Sequence, residues 1–288
     1  MPLGLGRRLD CPVGALDFAG GAVVHVNAAA AAVVASAVLG PRRDYGRLAL
    51  LPHHVPFVLL GAGLLWFGWF GFNGGSALAA DGAATLAFVN TMMAPAATLT
   101  VWMGLDLMRT GRVTAVGAAT AAVVGLVAIT PAAGLVSPLS ALAIGALAAI
   151  PSHFMLIWRA RTRLDDSLDV FAAHGVGGIV GALLTGVFAD AAWNGSFNGL
   201  LFGNPSQFGI QALSIVAVFV YSASVSWVLL KGIGLAMPLR VPALHEARGL
   251  DVAMHGEESY SDGEGAVLVL APAASGGENP TRRATVAA

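Results

Sequence analysis

Charge is what this sequence has least of. Its 288 residues carry 15 basic and 16 acidic side chains, 11% of the chain, where soluble domains carry about a quarter. So few solvated groups cannot cover a soluble domain of this length. A 57% hydrophobic content and a mean hydropathy of +0.76 exclude a disordered chain. The net charge of −1 leaves no basic field for nucleic acid. Lysine is reduced to Lys231, against fourteen arginines, and cysteine to Cys11. One cysteine excludes a disulfide framework within the chain and any multi-cysteine metal site; Cys11 reads as a small hydrophobe. P-loop, zinc-protease and catalytic-serine motifs are absent as well. What the composition leaves is an all-α polytopic membrane protein.

A spanning helix needs about 20 mostly apolar residues. Seven runs qualify: Val13–Leu39, Val55–Gly74, Thr85–Met108, Ala115–Leu135, Pro138–Trp158, Leu168–Asp190 and Phe208–Ala236. The first is too long, and too polar at Asp17, His25 and Asn27, for a cleaved signal, and it reads as a span. Residues 239–260 are polar and charged, and 261–288, rich in Gly, Ala, Ser and Pro, read as a disordered tail. Basic residues crowd into the loops after spans one, three and five (Arg42, Arg43, Arg47, Arg109, Arg112, Arg159, Arg161, Arg163) and are missing from the loops after spans two, four and six. By the positive-inside rule those three loops and the C-terminus are cytoplasmic. Arg7 and Arg8 oppose the outer placement that this gives the N-terminus.

Ionisable groups within spans are costly, so each needs a reason. Asp17, His25, Asp106 and His174 are the main cases. Asp17 falls near the outer surface; His25 falls about 15 Å deep, and His174 at a comparable depth within boundary error. The second span runs outward and ends in Trp69-Phe70-Gly71-Phe72-Asn73-Gly74-Gly75-Ser76. The topology therefore gathers Asp17, Trp69, Phe72 and Ser76 at the outer face, with two histidines beneath. A carboxylate, ring faces and a hydroxyl suit a small cation; deeper imidazoles suit a proton relay or a small polar solute. Each feature also has a plainer reading. A buried histidine can tie two helices together, aromatics near a helix end form an interfacial belt, and Asp17 can accept from helix-start N–H groups. Asp106 and Asp169, at span ends, read as solvated or capping. Gly177, Gly178, Gly181, Ala182 and Gly186 read as helix packing, and Met92 and Met93 as core or lipid-facing filler. The triplet Asn194-Gly195-Ser196 matches a glycosylation sequon, a match common by chance.

Several segments resemble the ammonium transporter family, the superfamily that includes the methylammonium and Rhesus proteins. They are Asp17-Phe18-Ala19-Gly20-Gly21 leading into His25, Gly68-Trp69-Phe70-Gly71-Phe72-Asn73-Gly74-Gly75-Ser76, Thr130-Pro131-Ala132, Asp169-Val170-Phe171-Ala172-Ala173-His174-Gly175, and the tail Leu239-Arg240-Val241-Pro242 with Gly249-Leu250-Asp251 and His255-Gly256-Glu257. The similarity runs from about residue 13 to 260. It implies that His25 and His174 are twin histidines of a conduction path, that Trp69, Phe72 and Ser76 form an external ammonium site and gate, and that Asp17 supports it. It implies ammonium or ammonia, with methylammonium, as substrate in a lipid bilayer, a homotrimer in the plasma membrane, and a PII-type signalling partner at the cytoplasmic face. Neither an enzyme activity nor a cofactor or metal is implied.

The same resemblance assigns residues 1–12 to an outer segment, 13–238 to the membrane domain and 239–260 to a cytoplasmic regulatory tail. Family members have about eleven spans built from two inverted repeats and a final helix. The seven spans here correspond to the fifth through the eleventh, so the expectation is a chain without the first four and with one wall of the pore. A non-functional fragment is one alternative. A seven-span sensor or receptor is another, although Lys231 lies at the wrong depth for a retinal linkage.

Overall fold

The computed structural model describes residues 14–48 and 51–257, and every regular element among them is helical. The sequence-assigned segments 1–12 and 261–288 lie outside the described residues. The chain divides into a unit ending at Leu239 and a second beginning at Arg240. In the first unit the elements are α1 (Gly21–Leu39), α2 (Val55–Gly75), α3 (Gly82–Thr110), α4 (Ala115–Ile129), α5 (Pro138–Arg159), α6 (Phe171–Phe188), a short α7 (Ala191–Asn194) and α8 (Ser206–Ala236). The second unit contains α9 (Ala243–Arg248), followed by a π turn over Asp251–His255. Its Arg240 and Glu246 form an ion pair at 2.8 Å.

Among the described residues, six helices are long and apolar enough to cross a membrane, one fewer than the sequence suggests. The difference is α4, expected over Ala115–Leu135, which stops at Ile129. Pro131 is the cause, because it has no N–H to continue the ladder and its ring clashes with the carbonyl four residues back. Residues 130–136 instead form a buried turn most of whose carbonyls are claimed. Asn90 Nδ2 donates to Ala133 O and Val136 O at 2.8 and 2.9 Å. Phe18 N–H reaches Pro131 O, Ala19 N–H reaches Thr130 O, and Leu135 N–H closes onto Ala132 O. Asp190 N–H and Asn194 Nδ2 share Leu135 O. Irregular backbone at membrane depth is tolerated only with such satisfaction. Asn194, the sequon residue, also accepts from Ser196 N and Phe197 N, so its amide is fully engaged.

The core lies around α4, whose Val124, Leu126, Val127 and Ile129 are all 0% exposed. Small residues let neighbours press onto backbone. A Cβ at Gly125 would meet Pro95 Cα at 2.4 Å, and one at Gly181 would meet Ala128 O at 2.2 Å. The glycine stripe of α6 is therefore a packing device. By contrast, α2 and α8 present long apolar faces, among them Phe57, Leu60, Leu64, Val216, Val220 and Leu229, all exposed. That surface suits lipid or another apolar helix rather than water.

At one end of the unit, the α1–α2 loop grips the α5–α6 loop. Arg42 donates from Nε and Nη2 to the Asp165 carboxylate, both at 2.8 Å, and its backbone N–H joins them. Tyr45 donates its hydroxyl to the Thr162 and Leu164 carbonyls. Loops one and five thus share one end, as the arginine distribution requires.

Candidate functional site

The two histidines flagged in the sequence lie in π-helical turns that open straight segments. His25 lies in Gly21–Val26, which opens α1, and His174 in Phe171–Val176, which opens α6. Each turn is started by an aspartate eight residues before its histidine. The Asp17 carboxylate accepts from Gly21, Ala22 and Val23 N–H; Asp166 Oδ2 accepts from Phe171 N–H at 2.7 Å. A carboxylate at a helix start satisfies donors that otherwise lack partners. The wider π turn redirects a side chain that regular α geometry would send elsewhere, and such turns recur at functional sites.

The two turns bring the rings together. His25 Nδ1 and His174 Nδ1 are 3.2 Å apart, with ring centroids at 5.2 Å. Trp69 stacks on His25 at 5.3 Å and 20°. Phe72 lies 6.4 Å from His25 and meets Trp69 edge-on at 5.7 Å. His25 is 4% exposed and Trp69 8%, whereas Phe72 is 40% exposed. The cluster is closed around His25 and open at Phe72.

Thr130 ties it together. Its Oγ1 accepts from Trp69 Nε1 at 3.0 Å, lies 3.4 Å from His25 Nε2, and donates to Leu126 O at 2.7 Å. A hydroxyl has one proton and two lone pairs. The proton goes to Leu126, so Thr130 receives N–H groups from both Trp69 and His25. That leaves His25 Nδ1 bare, as the acceptor for the Nδ1–H of His174. One shared bond between the Nδ1 atoms holds one proton, so the two rings cannot both be imidazolium in this geometry.

Of the residues singled out from sequence, His25, His174, Trp69 and Phe72 converge. Ser76 turns its hydroxyl back to Phe72 O at 2.8 Å, and the Asp17 carboxylate is engaged by helix-start N–H groups, its plainer reading. Asp106 and Asp169 are corrections. Asp106, expected to be solvated or capping, accepts from His153 Nε2 at 2.9 Å. Asp169 pairs with Arg159, which also donates to Tyr45. Burial pushes the Asp169 carboxyl above its ordinary value despite the Arg159 charge. Sequence reasoning missed His153, an ionisable residue inside the fifth run, and gave Thr130 no role beyond its motif.

A sequence model of the Ammonium Transporter Family matches residues 11–260. The chain belongs to the ammonium transporter family. An ammonium transporter of Aquifex aeolicus (strain VF5) is 47% identical over 249 residues, covering 86% of this chain and 58% of that protein. One from Bacillus subtilis (strain 168) is 42% identical over 252 residues, covering 87% and 62%. A solved structure described as a sensor Amt protein superposes with a TM-score of 0.76 at 35% identity, covering 83% of this chain and 60% of that one. Saccharomyces cerevisiae Mep2 gives 0.75 at 35%, covering 81% and 54%. The chain therefore spans about three-fifths of the length of the curated relatives it matches. The family is by its description one of transporters, not enzymes. The fold is accordingly that of a multi-pass integral membrane protein of this family.

Proposed function

We propose that this chain contributes to ammonium transport, lining a path in which ammonium is recruited at an aromatic outer site, deprotonated, and passed as ammonia along His25 and His174. The observation that carries this reading is the Nδ1–Nδ1 contact of 3.2 Å, packed beneath Trp69 and Phe72. Ammonium and potassium have equal charge and similar size, so a pore of fixed width separates them poorly. Ammonium can shed a proton and potassium cannot. An apolar constriction makes a bare cation expensive and admits neutral ammonia, which the paired imidazoles can hydrogen-bond. The exposed face of Phe72 and the Trp69 ring attract the cation. Asp17 acts through the helix start that it caps, with Ser76 at the mouth. The proton follows along the histidine pair, which makes transport electrogenic.

The family assignment extends this proposal to a plasma-membrane homotrimer with residues 13–238 in the bilayer. Residues 239–260 form a cytoplasmic regulatory tail that meets a PII-type protein. His25→Ala or His174→Ala should abolish methylammonium accumulation and ammonium-evoked current in cells lacking their own uptake. Selective current that survives either change would reject the twin-histidine path. A second reading has one observation in its favour, the likeness to the sensor Amt protein. In that reading the same cluster binds ammonium to signal, and binding without accumulation of label would identify it.

A further inference from the structure

Outside the histidine pair, a buried ionisable cluster among the described residues joins three helices. His153 of α5 and Asp106 of α3 meet at 2.9 Å, with side chains 5% and 15% exposed. Trp102, one turn from Asp106, sets its ring edge-on to His153 at 4.9 Å. The other carboxylate oxygen lies over the first turn of α4. A Cβ at Gly117 would come within 2.9 Å of Asp106 Oδ2 and 3.4 Å of Trp102 Nε1. A helix N-terminus favours a carboxylate there. Asp106 therefore contacts α5 through one oxygen and α4 through the other.

The sequence of α4 explains why such a tie matters. Between Ala115 and Ile129 its only polar side chain is Thr120, whose hydroxyl donates to Val116 O within the same helix. Its lateral contacts are apolar: small residues on backbone, Gly125 on Pro95 and Ala128 on Gly181, and the buried side chains Val124, Leu126, Val127 and Ile129. Contacts of that kind carry no hydrogen bond that marks one height along the axis. Directional polar contacts are confined to the two ends of the helix. Thr130 meets Trp69 and His25 at one end; Thr114, Gly117 and Asp106 meet at the other. Fifteen residues, about 22 Å of rigid helix, connect them.

We infer that Asp106 and His153 are positioning residues that set the axial register of α4, and with it the height at which Thr130 meets His25 and Trp69. This deepens the proposed function and rests on its reading of His25. The test is side-chain NMR on the full chain, labelled with 15N-histidine in lipid nanodiscs, reading the ring nitrogens of His25. His153→Gln keeps a donor near the Nε2 position and should leave the protonated-Nε2 signature of His25 in place. His153→Leu should lose it, giving mixed tautomers. Asp106→Asn keeps an acceptor for His153 but removes the charge from the first turn of α4, and it should weaken the same signature. An unchanged His25 spectrum in His153→Leu overturns the inference. Where that variant does not fold, an unchanged spectrum in Asp106→Asn overturns it. Mixed His25 tautomers already in the wild type would instead reject the hydrogen-bond pattern assigned to the pair. The positioning role then stands or falls on whether the tautomer ratio moves in His153→Leu.

Discussion

One hydroxyl holds more of the candidate site than its size suggests. Thr130 accepts from Trp69, faces His25 and donates to Leu126, all within a 0% exposed position. Thr130→Val keeps the shape and removes the acceptor, leaving the Trp69 indole N–H buried without a partner. Such a loss costs about 1–3 kcal/mol. The expected outcome is a lowered unfolding temperature together with reduced methylammonium uptake, both recovered in Thr130→Ser. Uptake at the wild-type level in a folded Thr130→Val protein would show that the hydroxyl is dispensable. At this scale His25 and His174 are legible in the sequence because a charge-capable ring inside an apolar run is costly and each lies in a segment resembling the family. Thr130 is not, since a threonine beside a proline reads as a helix stop. The pairing of Asp106 with His153 is hidden for another reason. They are 47 residues apart on different helices, and only packing brings them to one place.

At the scale of elements, the fold depends on close backbone approach and on one polar clamp. Gly181 faces Ala128 O with no room for a methyl group. Gly181→Val should force α6 away from α4 and destabilise by about 1–3 kcal/mol, the usual cost of overpacking. Thermal unfolding in detergent measures it, and a neutral result would mean that the two helices can separate freely. The clamp between the α1–α2 and α5–α6 loops carries a pH signature. Burial pushes the Asp165 carboxyl up, but the hydrogen bonds and charge of Arg42 more than offset this, leaving it below its ordinary 3.8. A depressed folded-state value stabilises at pH above the ordinary one, and that stability is lost as pH falls through the lower value. Asp165→Asn should therefore be less stable at neutral pH and show a flatter decline below about pH 4. A pH–stability curve parallel to the wild type would dismiss the clamp. Helix existence was readable from apolar run length. The early end of α4 was readable only in part. Pro131 signals a stop, but the sequence does not reveal that Asn90 and the 18–19 backbone would satisfy a turn at that depth.

At the scale of the whole molecule, the arginine counts predict an orientation that can be checked directly. On a Cys11→Ala background, a cysteine at Arg43 or Arg163 should react with a membrane-impermeant maleimide only after the membrane is opened. One at Gly195, in the loop after α7, should react from outside. The reverse pattern would invert the topology. Composition by itself determined the solvent of this protein, because 11% charge cannot clothe a soluble surface. The spacing of apolar runs determined nearly all of its helices, and a few polar residues inside them marked where chemistry could occur. Only tertiary structure decided which of those groups meet. It joined His25 to His174, withdrew Asp17 and Ser76 into backbone bonds, and paired Asp106 with a histidine the sequence did not flag. The physical reason is that run length and burial cost are properties of single segments, readable one at a time. A hydrogen bond between helices depends on the rotation and register of both, which only packing sets.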